Sequence, residues 1–381
     1  MDLTTLGLFV MLLASAIGVD TVLHPDSILL DATVTGKFDS VVVDAPTLSG
    51  MLSYEVTQIC STPSVLAVPE VRGTDNQGVG MAIAKAANMQ SVAVALQTQL
   101  GYQPERIRLT LLSEDGAIKM LVSGAGPGGR IETPPFQEQL TLRKGESIEA
   151  LVHRSALRAM SLIDPYVTSL YLLQSHETDR DFSAAETLVK NTFAALPPAK
   201  ISFERSLFEN LQGIISLLQD NVGEADSWFH RAGASNPDNA AALLNAGFVD
   251  MQFGRYPDAI QHVEPLLTSR RPADRALLST AYMIRGAALL VSGEAKQADQ
   301  DLAMAVAADS RSAPAYALRA EAKRAEGDAA AADDLHARAL GFAGNVANYA
   351  EVAALYFDLA LKPGQKLTRN RFAIPGMIRF N

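Results

Sequence analysis

The segment Asn245–Ile260, NAGFVDMQFGRYPDAI, constrains this chain more than any other. Gly247, Gly254, Tyr256 and Ala259 fall where two antiparallel helices would approach, turn and pack. Small side chains let helix backbones touch, and a glycine such as Gly254 supplies the positive φ that ends a helix cheaply. Tyr256 and Ala259 then open a second helix that folds back on the first. The pattern recurs. The contact alanine appears at Ala225, Ala259, Ala298 and Ala332, with spacings of 34, 39 and 34 residues. The small residue of the first helix keeps the same rhythm at Gly213, Gly247, Gly286 and Ala320. The turn glycine recurs at Gly254, Gly293 and Gly327, with Asp220 in its place in the first unit. A later alanine recurs at Ala232, Ala305 and Ala339, replaced once by Leu266, and Pro237 closes the first unit. The polar, proline-containing stretch Ser269–Ala276 accounts for the one longer spacing.

A period of 34 with these residue types resembles the tetratricopeptide repeat (TPR) family, over roughly Ser206 to Gly344. The resemblance implies a solenoid of paired helices that binds proteins or peptides rather than doing chemistry. One departure is the aromatic expected near the start of each first helix. It is Leu243, Tyr282 and Tyr316 in the later units but Glu209 in the first. A degenerate fifth unit is expected ahead of these, from Tyr166 to Pro198, marked by Phe182, Ala185 and Pro197. A helix over Asn348–Leu361 is expected to cap the last apolar face. By repeat position the implied partner groove is lined by Leu244, Asn245, Phe248, Met251 and Gln252 in the second unit. The third unit adds Met283, Ala287 and Leu290, and the fourth Ala317, Glu321 and Arg324. The competing expectation for these positions is packing between neighbouring units.

The N-terminus adds a second constraint. Leu3–Val19 carries no charge over 17 residues, which reaches the lower bound for a membrane-spanning helix. The favoured expectation is a single-pass membrane anchor. The rival is a cleaved signal peptide with Ala14-Ser15-Ala16 at its end, giving a periplasmic protein. The net charge of −10 and the absence of a long basic run argue against nucleic acid as a partner. Cys60 is the only cysteine, which excludes an intramolecular disulfide and points to a small buried residue.

Between anchor and repeats, residues 21–160 read as a small α+β domain, one sheet covered by helices. Ser40–Val43 is expected as a short strand and Met89–Leu100 as a helix. Arg106–Leu112 and Ala117–Val122 alternate apolar and polar residues around Glu114-Asp115-Gly116, which predicts a hairpin with one wet face. Phe136–Leu142 follows as a third strand, and Ser147 opens a helix that runs to Ile163. The fold class is therefore an α+β N-terminal domain plus an all-α TPR solenoid over 161–361, with an N-terminal transmembrane helix (1–20) and a tail over 362–381. This layout, with Asp164, Pro165, Tyr166, Tyr171 and the NLQG run Asn210–Gly213, resembles bacterial membrane-anchored TPR proteins without an assigned function, which implies a bacterial cell membrane with the soluble part on the periplasmic side.

No catalytic, cofactor or metal residues are expected. Gly124–Arg130, GAGPGGR, follows a strand but is succeeded by two prolines and no helix, so it reads as a connection, not a phosphate cradle. The histidines at 24, 153, 176, 230, 262 and 336 show no i, i+4 pair. His230, His262 and His336 belong to second helices of repeats. Asp20, Asp26 and Asp31 lack the glycine and bidentate Glu of a calcium loop and read as a solvated linker. Two functions remain. One is a membrane-tethered, non-enzymatic protein–protein scaffold. The alternative is a ligand-sensing or enzymatic α+β domain, sited near Cys60 or the glycine-rich loop, with the repeats as a docking arm.

Overall fold

The computed structural model describes residues 27–36, 43–62, 70–73, 92, 105–114, 116–125, 135–176, 179–196, 203–269 and 275–342. Contacts divide the chain into two compact units, Met1–Thr62 with Leu66–His176, and Pro63–Val65 with Glu177–Asn381. The first is mixed α+β and the second, in its described residues, is all helix.

In the first unit, β1 (Ser27–Thr35), β2 (Glu70–Gly73), β3 (Glu105–Glu114), β4 (Ala117–Ala125) and β5 (Phe136–Thr141) form one sheet in the order β2-β1-β3-β4-β5. β1 runs parallel to β2 and β3, and the β3-β4-β5 pairs are antiparallel. The predicted hairpin is present: Glu114 pairs with Ala117, and Gly116 takes φ +73 in the turn. Alternation puts Ile28, Leu30, Ile107, Leu109, Leu111, Met120 and Val122 on one buried face. Helices α1 (Ala45–Cys60) and α2 (Ile148–Ile163) lie on that sheet, and α3 (Pro165–Ser175) packs on them. Leu48, Leu52, Val56 and Ile59 share the buried face of α1 at helical spacing. Caps set the helix starts. Asp44 accepts from Thr47 N at 2.8 Å, Ser147 from Ala150 N at 3.2 Å and Asp164 from Val167 N at 3.0 Å.

Several expectations change. Asp31 is not in a linker. It sits in β1 opposite Arg108 and accepts from Arg108 Nε at 2.6 Å. Gly124 is the last part of β4 rather than a loop, and a Cβ there would lie 2.5 Å from the Phe136 ring. Cys60 is buried at the end of α1. Of the strand expected at Ser40–Val43, only Val43 is described, and it is in no strand. Leu3–Val19, Met89–Leu100 except Val92, and Asn348–Leu361 lie outside the described residues. Among the described residues no helix is long and apolar enough to cross a membrane. The first unit ends at His176, later than the boundary expected at 160, so α3 belongs to the sheet unit. The expected fifth repeat is thereby divided, because its second helix, α4 (Ser183–Ala195), falls in the other unit.

The second unit continues with four helix pairs. They are α5 (Phe203–Leu218) with α6 (Val222–Ser235), α7 (Ala240–Gln252) with α8 (Tyr256–Thr268), α9 (Arg275–Val291) with α10 (Ala295–Ala308), and α11 (Ala313–Ala325) with α12 (Ala329–Phe342). Each pair turns in the same way. Asn221 N donates to Ser216 O, Arg255 N to Asp250 O, Glu294 N to Leu289 O and Asp328 N to Lys323 O, all at 2.8–2.9 Å. Each is the six-to-one bond that closes a helix through a left-handed residue. That residue is Asp220, Gly254, Gly293 or Gly327, with φ between +65 and +88. Three of the four have no Cβ to strain, and Asp220 is the exception. Asp220→Gly is expected to stabilise the unit by ~1 kcal/mol, since a left-handed L-residue costs roughly that much. The exposed Arg180 contact it gives up offsets little. Chemical denaturation of the two proteins side by side checks this.

The contact alanines Ala225, Ala259, Ala298 and Ala332 are all fully buried. Across the first three pairs, the small residue meets a large one from the second helix. A Cβ on Gly213 would stand 2.4 Å from Phe229, on Gly247 3.1 Å from Val263, and on Gly286 2.7 Å from Leu302. Polar ties repeat in the same frame. Ser206 Oγ donates to Ala232 O at 2.7 Å, and Ser279 Oγ donates to Ala305 O at 3.0 Å. Residues 177–381 are expected to unfold cooperatively on their own, because the pairs make their contacts with successive neighbours. Circular dichroism on that fragment, with no cooperative helical transition, would refute the division.

Candidate functional site

The groove positions are mostly interior. Leu244, Asn245, Phe248 and Met251 on α7, Met283, Ala287 and Leu290 on α9, and Ala317 and Glu321 on α11 are all buried. Gln252 is partly exposed, and Arg324 is exposed and paired with Glu321. These side chains therefore pack the stack; the open groove expected from repeat position is not what they line. Asn245 Nδ2 donates to Asn210 Oδ1 at 2.8 Å, so it joins α7 to α5. A scan against protein-family models finds no match, and a search of curated proteins finds none either.

The chemistry-bearing side chains gather instead within the pairs and at the joints between them. Inside the first pair, Glu209 of α5 is buried and accepts from Arg205 Nε at 3.2 Å, Arg231 at 3.3 Å and Ser235 Oγ at 2.6 Å. This explains a carboxylate at a position expected to be aromatic: three donors from α5 and α6 satisfy it. At the α8–α9–α10 joint, Arg285 spans two pairs. Its Nε and a terminal nitrogen hold the Asp301 carboxylate in a fork, both at 2.7 Å, and its other terminal nitrogen reaches Glu264 at 2.7 Å. The Asp301 hydrogen bond, with help from Glu264, keeps the Arg285 guanidinium charged against its partial burial. Arg319, 34 residues on, pairs with Asp299 at 2.8 Å in the next joint, where Lys323 joins at 2.7 Å. Partial burial of Asp299 opposes its ionisation, but hydrogen bonds from Lys323 and Arg319 still hold its carboxyl below the usual range.

The densest cluster joins α6, α7 and α8. Asp250 sits on α7 with its carboxylate fully buried. Its Oδ1 accepts from Arg255 Nε at 2.6 Å, and its Oδ2 lies 2.8 Å from His262 Nδ1 on α8. His230 arrives from α6, with Nε2 3.7 Å from Asp250 Oδ1 and its ring edge-on to His262 at 4.8 Å between centroids. Arg255 also pairs with Asp226 of α6. The hydrogen bond to Asp250 raises the His262 pKa above its ordinary value, against the opposing effect of partial burial. A search for i, i+4 histidine spacing could not find this group. His230 and His262 are 32 residues apart in sequence, and the aspartate that gathers them lies on the intervening helix. The readable signal was positional: each histidine follows a contact alanine, Ala225 or Ala259, by a few residues on a second helix.

Proposed function

We propose that this protein is a non-catalytic interaction scaffold, an array of TPR type that holds a protein or peptide partner and is tethered to a membrane through Leu3–Val19. One observation carries the reading. Four successive helix pairs repeat a single closing turn, three of them a small-against-large contact between their helices, and two of them a serine-to-carbonyl tie in register. Such a stack extends by neighbour contacts and presents surface whose residues can vary without disturbing the frame. The partner-facing surface in this reading is the exposed rim of the array, where Gln252 and Arg324 end the first helices, rather than the buried positions beneath them. The uncharged run Leu3–Val19 supports the tether.

The test is photo-crosslinking of the full-length protein in cells. A crosslinking amino acid is placed at Gln252, at Arg324, and at the exposed Tyr54 of the first unit. A discrete protein adduct from the array positions is expected. Adducts from Tyr54 alone, or none from either array position, would remove the scaffold reading. Fractionation of the same cells after a carbonate wash checks the tether, which fails if the full-length protein stays soluble.

A further inference from the structure

We propose that His230, Asp250 and His262 form a binding site for a divalent transition metal ion of zinc type, which cross-links consecutive helix pairs. The three side chains offer two imidazole nitrogens and one carboxylate oxygen, all within 4.8 Å of one another. Zinc holds such ligands at roughly 2.0–2.2 Å, which places ligand atoms about 3.4 Å apart in a tetrahedron. Asp250 Oδ2 lies 2.8 Å from His262 Nδ1, and Oδ1 of the same carboxylate lies 3.7 Å from His230 Nε2, one distance on either side of that spacing. Rotation of the three side chains about their own bonds would bring the two ring nitrogens and one carboxylate oxygen onto a single ion.

The surroundings prepare each ligand. His230 Nδ1 lies 2.9 Å from the Asp226 carbonyl oxygen and 3.1 Å from Asp226 Oδ1. Both neighbours are acceptors, so the ring proton belongs on Nδ1. The Nε2 lone pair then faces the Asp250 carboxylate, acceptor toward acceptor, an arrangement that a cation between them would satisfy. Metal-bound histidines commonly give their other N–H to a carbonyl or carboxylate in this way. Asp250 Oδ1 is already held by Arg255 Nε at 2.6 Å, which fixes the carboxylate and leaves Oδ2 for the ion. As the ion enters, the proton on His262 Nδ1 leaves to solvent and the ring, still neutral, carries its one proton on Nε2, the usual exchange at such sites.

Charge and access agree. Asp226 and Asp250 outnumber the single Arg255, so with neutral imidazoles the ion enters a site of net negative charge. Both histidine rings are partly exposed while Asp250 is buried, so the site opens at the surface and is closed beneath. Three protein ligands leave a fourth position for water or for a donor atom of a partner. The imidazole pair selects zinc, copper, nickel or cobalt over magnesium and calcium. Because His230 belongs to α6 and the other two to α7 and α8, one ion would bridge two adjacent pairs.

The experiment uses full-length, untagged protein stripped with a chelator, and zinc ion alone as the probe. Calorimetric titration is expected to show one saturable equivalent, with a rise in the unfolding temperature as the site fills. Magnesium should produce neither effect. His230→Gln and His262→Gln should each weaken zinc binding by at least ~100-fold, the upper end of what altering a metal's supporting residues alone costs. His336→Gln, on α12 and outside the cluster, should bind as the parent does. Cobalt substitution should give the visible absorption of a tetrahedral site, which is lost in both cluster variants. No saturable equivalent, or one retained in both cluster variants, would overturn the proposal.

Discussion

Replacing Gly213 by alanine is expected to destabilise the helical unit by about 1–3 kcal/mol, although alanine is the better helix former. In an exposed helix interior the same change gains roughly 1 kcal/mol, because glycine loses more backbone freedom on folding. At Gly213 a Cβ would stand 2.4 Å from Phe229, a fully buried ring with no open side to move into. Relief requires α5 and α6 to part, and overpacking of that kind costs about 1–3 kcal/mol. Gly223, on α6, has nothing within 4 Å of its Cβ position, so Gly223→Ala should stabilise. The two substitutions therefore carry opposite signs. Gly286→Ala should fall near Gly213→Ala, with Leu302 at 2.7 Å, and Gly247→Ala should cost least of the three. Urea unfolding of the four variants is the measurement. Equal effects at Gly213 and Gly223 would show that small residues are not what sets the spacing between paired helices.

That contrast also explains what was legible in the sequence. The repeat frame could be read because close helix contact and a left-handed turn each admit few residue types, so both leave marks at fixed spacing. The hairpin β3–β4 was legible for a similar reason, with alternation on both sides of Asp115-Gly116. The parallel part of the sheet left no such mark. β1, SILLDATVT, is paired on both edges, and its strand signal is interrupted by Asp31, which made the segment resemble a linker. Only Arg108, 77 residues away, turns Asp31 into a strand residue with a partner. α1 was hidden by Gly50, Ser53, Tyr54 and Thr57 between its buried positions, although Asp44 before Pro46 was a readable start. The proposed groove erred in a different way. Repeat position says which way a residue faces within one pair, and burial depends on what else lies against that face.

The joints show what the repeat frame does not determine. In every pair the turn is alike, and in three the small-against-large contact is alike, whereas the charged groups within and between pairs differ at each step. Glu209 with Arg205 and Arg231, Asp250 with Arg255 and two histidines, Arg285 with Glu264 and Asp301, and Asp299 with Arg319 and Lys323 use unrelated partners. Apolar contacts between alanines and leucines would allow neighbouring units to slide or exchange. Distinct polar groups satisfied in one register only are a physical reason for these units to stack in this order.

Asp250 is where that reasoning has its largest consequence. Asp250→Ala, in metal-free buffer, is expected to cost about 3 kcal/mol, near the lower end of the range for removing one partner of a buried ion pair. The carboxylate itself is fully buried and takes two short contacts, from Arg255 Nε and His262 Nδ1. Its loss leaves a guanidinium and an imidazole facing a vacated interior. Both partners are partly exposed and can recover some hydration, which keeps the loss from reaching the top of that range. Asp250→Asn keeps the shape and one acceptor oxygen, so it should cost less than alanine, about 1.5–3 kcal/mol for a charge-assisted bond made neutral. The control is Asp334→Ala, whose i, i+4 partner Arg338 is as exposed as the aspartate, and which should change stability by under ~0.5 kcal/mol. A double-mutant cycle between Asp250 and Arg255 separates the pair from the loss of packing, with coupling of about 1–3 kcal/mol expected for side chains in direct contact. If Asp250→Ala proves as mild as Asp334→Ala, the buried carboxylate does not hold α6, α7 and α8 together, and the register of the stack rests on its apolar contacts alone.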